Sequence, residues 1–453
     1  MPEHTLGLKT PGALAGGLLL LTLLLAGCMK EPAVPLPPPA PKLVPPPRAA
    51  APGPQLALDL EPGQQVVGAL QTTRVQGDET LLDIARHFHL GYDEMAWANR
   101  GVDVWLPGDG RQVVLPTAQI LPDAPHSGLV ANVAARRLFH FLPPDASGKR
   151  RVVSYPVGIG REAYPTPLGT TRVTNKRAYP DWRVPASVRR AHAERGDPLP
   201  AVVPGGPENP IGTHVVDLGW PTYIIHSTNK PAGTGLRVTH GCLQLYPEDI
   251  TRLYDDVTVG SDVTVVNQPI LVAWQGDQLL LEVHKPLEET GMTASGSVSV
   301  AAVAIRKALA ERGRDEAAVD WDRVQTYVQA QAGYPLPILR GAPDQAALVA
   351  QLPAYTQPVA VAATAPSTQR EGWYVALGDY GGENSARKLV AQLRHLGPPV
   401  PAESRLFAGR HEVTAGPFAD RAHAERIARR IEVELGVRTE LRNPSRGAAD
   451  AGA

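Results

Sequence analysis

Residues 223–245 read YIIHSTNKPAGTGLRVTHGCLQL and carry the most informative pattern of the chain. The apolar run from Tyr223 to Ile225 predicts a β-strand that ends directly before His226. The glycine-rich stretch 229–238 is long enough to fold back on that strand. A second apolar run follows Cys242. The sequence therefore predicts that a thiol and an imidazole lie side by side.

The thiol and the imidazole indicate acyl-transfer chemistry. A cysteine attacks a carbonyl carbon as its thiolate, and a neighbouring histidine can accept the thiol proton. We therefore predict that Cys242 is the nucleophile, that His226 is the base and that Ser227 orients the imidazole. Gly241 allows unusual backbone angles, so its amide and that of Cys242 could point at a developing oxyanion.

Two other interpretations of the same residues are weaker. Two histidines and a cysteine suit zinc, but a fourth ligand is not evident nearby, and His240 and Cys242 are awkwardly close in the chain. A buried structural cysteine with incidental histidines is the other alternative. We predict no metal and no cofactor.

The other cysteine, Cys28, ends an export signal. Residues 1–28 contain Lys9 and an apolar run from Ala13 to Leu25, which is short for a membrane span. The run ends in Leu25-Ala26-Gly27-Cys28. This resembles the lipobox of bacterial lipoproteins, which implies that Cys28 is lipidated; a plain cleaved signal peptide is the alternative. A lipidated Cys28 leaves Cys242 without a disulfide partner.

The length of 453 residues predicts several domains, and the formal net charge of −1 gives no reason to expect nucleic acid as a partner. Residues 29–55 form a proline-rich tether, and residues 343–370 form a second linker rich in Ala, Pro, Gln and Thr. Residues 291–342 show helical spacing and are predicted to be a helical appendage of the catalytic domain.

Residues 70–120 predict a small β-α-α-β domain. Thr80 is placed to cap a helix, and a second short helix is predicted around Asp93 to Asn99. The segment resembles a LysM module through Gly77-Asp78-Glu79-Thr80, the pair Ala98-Asn99 and a closing Leu-Pro. The resemblance implies binding to glycans that contain N-acetylglucosamine. A small domain without glycan affinity is the alternative.

Residues 371–443 predict the order β-α-β-β-α-β, with Gly416-Pro417-Phe418 before the second helix. This resembles a SPOR domain, a family that binds glycan strands lacking stem peptides. The alternative is a generic ferredoxin-like α+β fold with another partner.

Residues 122–290 predict a mostly-β domain, with short strands separated by glycine and proline turns and a helix after Pro247. The histidine followed by Thr239-His240-Gly241-Cys242 resembles the YkuD-type L,D-transpeptidases. The stretch 200–210 is similar to the Gram-negative branch of that family. The resemblance implies that Cys242 attacks the bond between diaminopimelate and D-Ala in a tetrapeptide stem. It also implies that His240, Gly241 and Cys242 shape the oxyanion site.

Gln244 departs from that branch, which usually carries arginine two residues after the cysteine. Glutamine offers a neutral hydrogen bond in place of a forked, charged contact to a carboxylate. We predict that Gln244 and Arg237 bind substrate, with Arg237 supplying the missing charge.

The fold class predicted is therefore multidomain: a mostly-β YkuD-type catalytic domain between a β-α-α-β LysM-like domain and a ferredoxin-like SPOR-like domain. The expected function is a periplasmic L,D-transpeptidase, lipid-anchored through Cys28 to a membrane, with the outer membrane favoured by Met29. Its partners are peptidoglycan stem peptides and glycan strands. The acceptor amine belongs to a second diaminopimelate or to an envelope lipoprotein. A hydrolase (carboxypeptidase or endopeptidase) and a non-catalytic peptidoglycan-binding lipoprotein are the alternatives.

Overall fold

The computed structural model describes residues 57–194, 196, 198–206, 208–357 and 372–443. The predicted signal segment with Cys28, the tether 29–55 and residues 358–370 of the second linker lie outside these ranges. None of the described helices is both long and apolar enough to cross a membrane.

The N-terminal part of the described chain contains a small module of two helices between two paired strands. Its elements in chain order are β1 (Ala57–Leu60), β2 (Val66–Val67), β3 (Gln71–Arg74), α1 (Leu81–His87), α2 (Tyr92–Ala98), β4 (Gln112–Leu115) and β5 (Gln119–Ile120). Strands β3 and β4 pair antiparallel, so the order β-α-α-β is the predicted one. Thr80 caps α1: its hydroxyl accepts from the Asp83 N–H, and the Asp83 carboxylate accepts from the Thr80 N–H. We call residues 70–120 the LysM-like module.

The catalytic region is built mainly of β-strands. Its elements are β6 (Gly128–Asn132), β7 (Arg137–Leu142), β8 (Arg150–Pro156), β9 (Ile159–Gly160), β10 (Gly169–Ala178), β11 (Trp182–Arg183), α3 (Ala186–Glu194), β12 (Val202–Val203), β13 (His214–Leu218), β14 (Ile224–His226), β15 (Arg237–Thr239), β16 (Leu243–Gln244), α4 (Pro247–Asp256) and β17 (Asp262–Val266). The main sheet has nine strands in the order β1-β8-β7-β6-β17-β10-β13-β14-β16. Strand β14 carries His226, and strand β16 directly follows Cys242. These two strands are the last two at one edge of the sheet.

Three of these elements position the motif. Ile225 in β14, Leu243 in β16 and Ile250 in α4 are buried in one apolar core. Burial of three such side chains stabilises their packing by roughly 1.5–3 kcal/mol each. Ile225 directly precedes His226, and Leu243 directly follows Cys242. The core therefore fixes the positions of both His226 and Cys242.

A hairpin and two long helices form a separate core after the main sheet. The elements are β18 (Ile270–Gln275), β19 (Gln278–Val283), α5 (Ala294–Glu311), α6 (Trp321–Ala330), β20 (Leu336–Pro337) and α7 (Gln345–Gln351). Leu279 and Leu281 of β19 share a buried cluster with Ile305 and Leu309 of α5. The hairpin was predicted to belong to the catalytic domain, which was to end at residue 290. One of its faces packs on these helices, and Leu271 and Leu280 lie in another cluster with Val66 and Ile120. The predicted helical appendage also contains a short strand, β20.

The C-terminal unit has the order β-α-β-β-α-β, as predicted. Its elements are β21 (Trp373–Tyr380), α8 (Glu383–His395), β22 (Ala402–Phe407), β23 (Arg410–Phe418), α9 (Arg421–Leu435) and β24 (Glu440–Arg442). The sheet order is β22-β23-β21-β24. Leu389 of α8 and Ile431 of α9 are buried in one core with Val375 and Val413 of the sheet.

Strand β7 and helix α3 are among the elements of the catalytic region that the sequence did not predict. Strand β7 is buried on both faces along nearly its whole length, so it lacks the alternation of apolar and polar residues that marks a half-exposed strand. Helix α3 buries Val188 alone among its residues, so it has no apolar stripe at helical spacing.

Candidate active site

The strands that carry the motif lie next to each other in parallel. Ile225 pairs with Leu243, and His226 pairs with Gln244. Residues opposite each other in a sheet face the same side, and residues two apart on one strand share a face. Cys242 directly precedes β16, two residues before Gln244, so a continuation of the strand's alternation puts it on the side of His226. The predicted nucleophile and the predicted base therefore belong to chain segments that are neighbours in the sheet.

The tautomer of His226 is set by the backbone of Ser227. The imidazole Nδ1 lies 2.5 Å from the Ser227 carbonyl oxygen. A carbonyl oxygen can only accept, so Nδ1 carries the proton and Nε2 keeps a free lone pair. The Ser227 hydroxyl is buried and makes no hydrogen bond to the other described residues. Ser227 thus contacts His226 through its carbonyl and not through the side chain that the sequence suggested.

Burial keeps both reactive groups neutral. It lowers the pKa of His226 to about 4, and the hydrogen bond to Ser227 opposes this shift only in part. Burial also raises the pKa of the Cys242 thiol, against a hydrogen bond from the Ile224 backbone. Cys242 is a free cysteine, and its Sγ lies 3.8 Å from the carbonyl oxygen of Thr222 as acceptor. At neutral pH the resting pair is a thiol and a neutral imidazole.

The turn 239–242 is held by the Thr239 side chain. Its hydroxyl oxygen accepts from the Gly241 N–H at 3.2 Å and donates to the Cys242 carbonyl at 2.7 Å. Gly241 has φ +98°, and a Cβ there would lie 2.6 Å from the Tyr223 ring. Only glycine fits this position. The predicted use of the Gly241 amide as an oxyanion donor is not supported, because Thr239 already accepts from it.

His240 lies against the segment that precedes β10. The Arg161 guanidinium donates to its Nε2 at 2.6 Å, and the Tyr164 ring lies 4.5 Å from the imidazole, centroid to centroid. Tyr164 and Leu168 are largely exposed. Arg161 and Tyr164 therefore lie beside the turn that contains His240.

The two predicted substrate-binding residues, Arg237 and Gln244, have different contacts in the structure. The Arg237 guanidinium pairs with the carboxylates of Glu288 at 2.5 Å and Glu289 at 2.9 Å. It is therefore already neutralised and is not the unpaired charge that the sequence suggested. Gln244 is buried, and its backbone exchanges two hydrogen bonds with Gly158, at 2.7 and 2.9 Å. Its side chain is held on the face shared with His226.

Sequence reasoning missed three contributors to this site. Thr239 stands inside the motif, so its position before His240-Gly241-Cys242 could have indicated a turn-forming hydroxyl. Arg161 and Thr222 lie outside the motif, and no sequence pattern marks them as part of the site. Thr222 has φ +72°, which is rare for a β-branched residue, and the strained turn aims its carbonyl at the thiol. Within the described residues no cluster of three or more His, Cys, Asp or Glu side chains could hold a metal ion.

Comparison with known proteins places the chain in a family. Residues 127–266 match the L,D-transpeptidase catalytic domain, YkuD, and residues 369–438 match the SPOR domain. Among curated relatives, the probable L,D-transpeptidase YcfS of Escherichia coli K12 is 34% identical over 284 residues, which are 61% of this chain and 86% of YcfS. The probable L,D-transpeptidase ErfK/SrfK of the same organism is 36% identical over 62% of this chain and 89% of its own length. YbiS, also a probable L,D-transpeptidase of that organism, is 38% identical over 50% of this chain and 74% of its own. The chain belongs to the L,D-transpeptidase family, with a YkuD catalytic domain and a C-terminal SPOR domain.

Proposed function

We propose that this L,D-transpeptidase uses Cys242 as its nucleophile and His226 as its general base. The donor bond is the amide between the L-centre of diaminopimelate and the terminal D-Ala of a tetrapeptide stem. One observation carries the assignment: His226 pairs with Gln244, two residues after Cys242, and the His226 Nδ1 is tied to the Ser227 carbonyl. The free Nε2 lone pair is therefore the proton acceptor.

The acylation step follows from this arrangement. Nε2 of His226 accepts the thiol proton as Sγ bonds to the donor carbonyl carbon. The amide C–N bond then breaks, and the imidazolium returns that proton to the amine of the departing D-Ala. Because Thr239 engages the Gly241 N–H, we assign the Cys242 N–H to the oxyanion. The product is a thioester between Cys242 and the stem.

The second step resolves the thioester. An acceptor amine attacks the thioester carbonyl, the C–S bond breaks, and His226 passes the amine proton back to the thiolate. We infer that this amine is the side chain of another diaminopimelate or a lysine of an envelope lipoprotein. Gln244 presents a neutral side chain on this face, so recognition of the stem relies on hydrogen bonding there and not on a fixed charge.

We further propose that the enzyme works in the periplasm against peptidoglycan. The lipobox-like Leu25-Ala26-Gly27-Cys28 supports a lipid anchor, and the proline-rich residues 29–55 support a tether. The LysM-like module and the SPOR domain are assigned to glycan strands. All of these assignments rest on sequence resemblance and on the SPOR match.

Purified enzyme with disaccharide-tetrapeptide substrate tests the proposal. Cys242→Ala should abolish both D-Ala release and 3-3 dimer formation. His226→Gln should lower the rate of D-Ala release by roughly 10²–10⁴-fold, the usual contribution of a general base. His140→Gln is the matched control, because His140 is also buried and has a pKa lowered to about 4 by burial.

The pattern of products separates the alternatives. D-Ala release without dimers, even with an added amine acceptor, would show a hydrolase. Undiminished turnover by Cys242→Ala would refute the assignment of the nucleophile. An equal loss in His140→Gln and His226→Gln would show that His226 acts through stability and not through proton transfer.

A further inference from the structure

The LysM-like module contacts the loop that joins the base to the nucleophile. The Tyr92 N–H donates to the Thr234 carbonyl at 3.0 Å, and Thr234 is fully buried. Next to this bond, the backbones of Gly91 and Gly235 touch. A Cβ on Gly235 would lie 2.5 Å from the Gly91 Cα, and Gly235 has φ +85°. Side chains are excluded here, so the two backbones meet directly.

The module side of this contact is rigidly built. The Glu94 carboxylate accepts from the Gly91 N–H at 2.6 Å and pairs with Arg137 of β7, also at 2.6 Å. Both charged side chains are almost completely buried. The Arg137 guanidinium also donates to the His89 carbonyl at 2.9 Å. The start of α2 is thereby tied to the catalytic sheet independently of its contact with the loop.

The same module also holds the chain after the nucleophile. The Tyr246 hydroxyl donates to the Leu90 carbonyl at 3.0 Å, and Arg86 makes a two-pronged pair with Glu248 at 2.7 and 2.8 Å. Residues on both sides of Cys242 are thus attached to one stretch of the module, from Arg86 to Glu94.

A shift of the loop would reach the reactive face. The Leu236 N–H donates to the Gly233 carbonyl at 3.1 Å, and the Leu236 carbonyl accepts from the Ile159 N–H at 2.9 Å. A Cβ on Gly233 would lie 3.3 Å from the Gln244 side-chain nitrogen. The loop therefore packs against the strand partner of His226.

We propose that the LysM-like module positions the catalytic loop, with the Tyr92 main-chain N–H and Gly91 as positioning groups. This role is separate from any binding of glycan by the module. It rests on the proposed function, because it assumes that His226 and Cys242 carry the reaction. Without the contact the loop loses its anchor at Thr234 and Gly235, and the alignment of His226, Gln244 and Cys242 becomes less well defined.

Replacement of Tyr92 separates the hydrogen bond from the side chain. Tyr92 is the first residue of α2, where proline is favoured because its missing N–H has no partner within the helix. Gly91 has φ −87° and ψ 163°, the extended conformation that a following proline requires. Tyr92→Pro thus removes the donor to Thr234, and Tyr92→Ala removes the same aromatic ring but keeps the donor.

The full-length enzyme should show a lower kcat for Tyr92→Pro than for Tyr92→Ala, by about tenfold, since the carbonyl of the buried Thr234 loses this donor. Thermal unfolding of both variants reports the folded fraction, so kcat is compared per folded molecule. Equal kcat values for the two variants would overturn the proposal. So would a difference that the folded fraction fully explains.

A second pair of variants tests the glycine contact. Gly91→Ala places a Cβ 2.9 Å from the Gly235 Cα without a forbidden φ. Gly382→Ala is its control, because Gly382 also precedes a helix with an extended φ of −132° and has open space at its Cβ. Gly91→Ala should lower kcat, and Gly382→Ala should leave it unchanged. A lower unfolding temperature for Gly91→Ala with unchanged kcat would contradict positioning.

Failure of this inference is distinguishable from failure of the proposed function. If Cys242→Ala is inactive and the Tyr92 variants have equal kcat, the positioning role of the LysM-like module is wrong and the proposed nucleophile stands. If Cys242→Ala remains active, the assignment of the nucleophile falls first.

Discussion

Individual residues at the active site combine reactivity with a neutral resting state. Cys242 is partly shielded, and His226 is buried with its Nδ1 bonded to the Ser227 carbonyl. Since burial disfavours charge on both groups, a resting thiolate–imidazolium pair is not stabilised here. Proton transfer is therefore expected to accompany attack on the bound donor, which replaces solvent at the site.

This resting state predicts the pH dependence of thiol alkylation. Burial raises the pKa of Cys242, so the thiolate fraction of the free enzyme at pH 7 is small and grows about tenfold per pH unit. The rate of alkylation by iodoacetamide should rise steadily through pH 9. His226 is neutral above its pKa of about 4, so its own titration should add no step between pH 6 and 9.

Mass spectrometry of the modified peptide gives that rate directly. A plateau reached near neutral pH would reveal a preformed ion pair and would contradict the neutral resting state. His226→Gln serves as the comparison, because its profile should keep the same slope over this range.

At the scale of elements, α2 and β7 are joined by a buried ion pair. Glu94 and Arg137 are 3% and 4% exposed, and their closest atoms lie 2.6 Å apart. Burial raises the pKa of Glu94, and Arg137 opposes that rise. The Gly91 N–H also donates to the same carboxylate. Glu94 of α2 and Arg137 of β7 neutralise each other's charge. Without the pair, each element would bury an uncompensated charge.

Removal of one partner should therefore be costly. Arg137→Met leaves a buried carboxylate and should destabilise the junction by about 3–5 kcal/mol. The double variant Glu94→Gln with Arg137→Met should recover part of this loss, because no charge then stays unpaired. Urea unfolding, with limited proteolysis of residues 70–120, measures both effects.

The half-exposed pair of Arg252 and Asp256 on α4 provides the control. Arg252→Met should change stability little, since solvent screens such pairs. Equal losses in Arg137→Met and in the double variant would show that lost packing, and not unpaired charge, dominates at the junction.

At the scale of the whole molecule, the SPOR domain meets the LysM-like module through opposite charges. Arg387 pairs with Asp78 at 2.5 Å, and Lys388 pairs with Asp103 at 2.9 Å. His395 completes the contact at Thr80, 3.0 Å away. The ion pairs are about half exposed, so each contributes about 0–1 kcal/mol and is weakened by salt.

We predict that this junction opens as ionic strength rises. Asp78→Asn combined with Asp103→Asn should open it at low salt. Small-angle X-ray scattering of the full chain should then show a larger radius of gyration. Asp277→Asn is the control, because Asp277 is 93% exposed at the tip of the β18–β19 hairpin. A radius that is unchanged by salt and by both substitutions would show that apolar and backbone contacts, such as Gly397 against Asn229, hold the domain.

Much of the element order could be predicted, because it depends on local patterns. The β-α-α-β order within residues 70–120 and the β-α-β-β-α-β order within residues 371–443 are the predicted ones. The Thr80 cap also forms as expected, since a cap involves residues three apart in the chain. Strand β7 and helix α3 escaped prediction, because one is buried on both faces and the other lacks an apolar stripe.

The residue types of the motif are enough to predict, without a structure, that Cys242 is paired with a base at His226. The tertiary structure was needed to show that Ser227 contacts His226 through its carbonyl. It also decided that Arg237 is neutralised by Glu288 and Glu289, about fifty residues away, and that Tyr92 holds Thr234. The physical reason is that chain spacing constrains local geometry, whereas contacts between distant segments depend on how complete cores pack. Moreover, nearly all residue types carry the same backbone N–H and C=O groups. The sequence therefore does not show which of these groups will bond to each other across the fold.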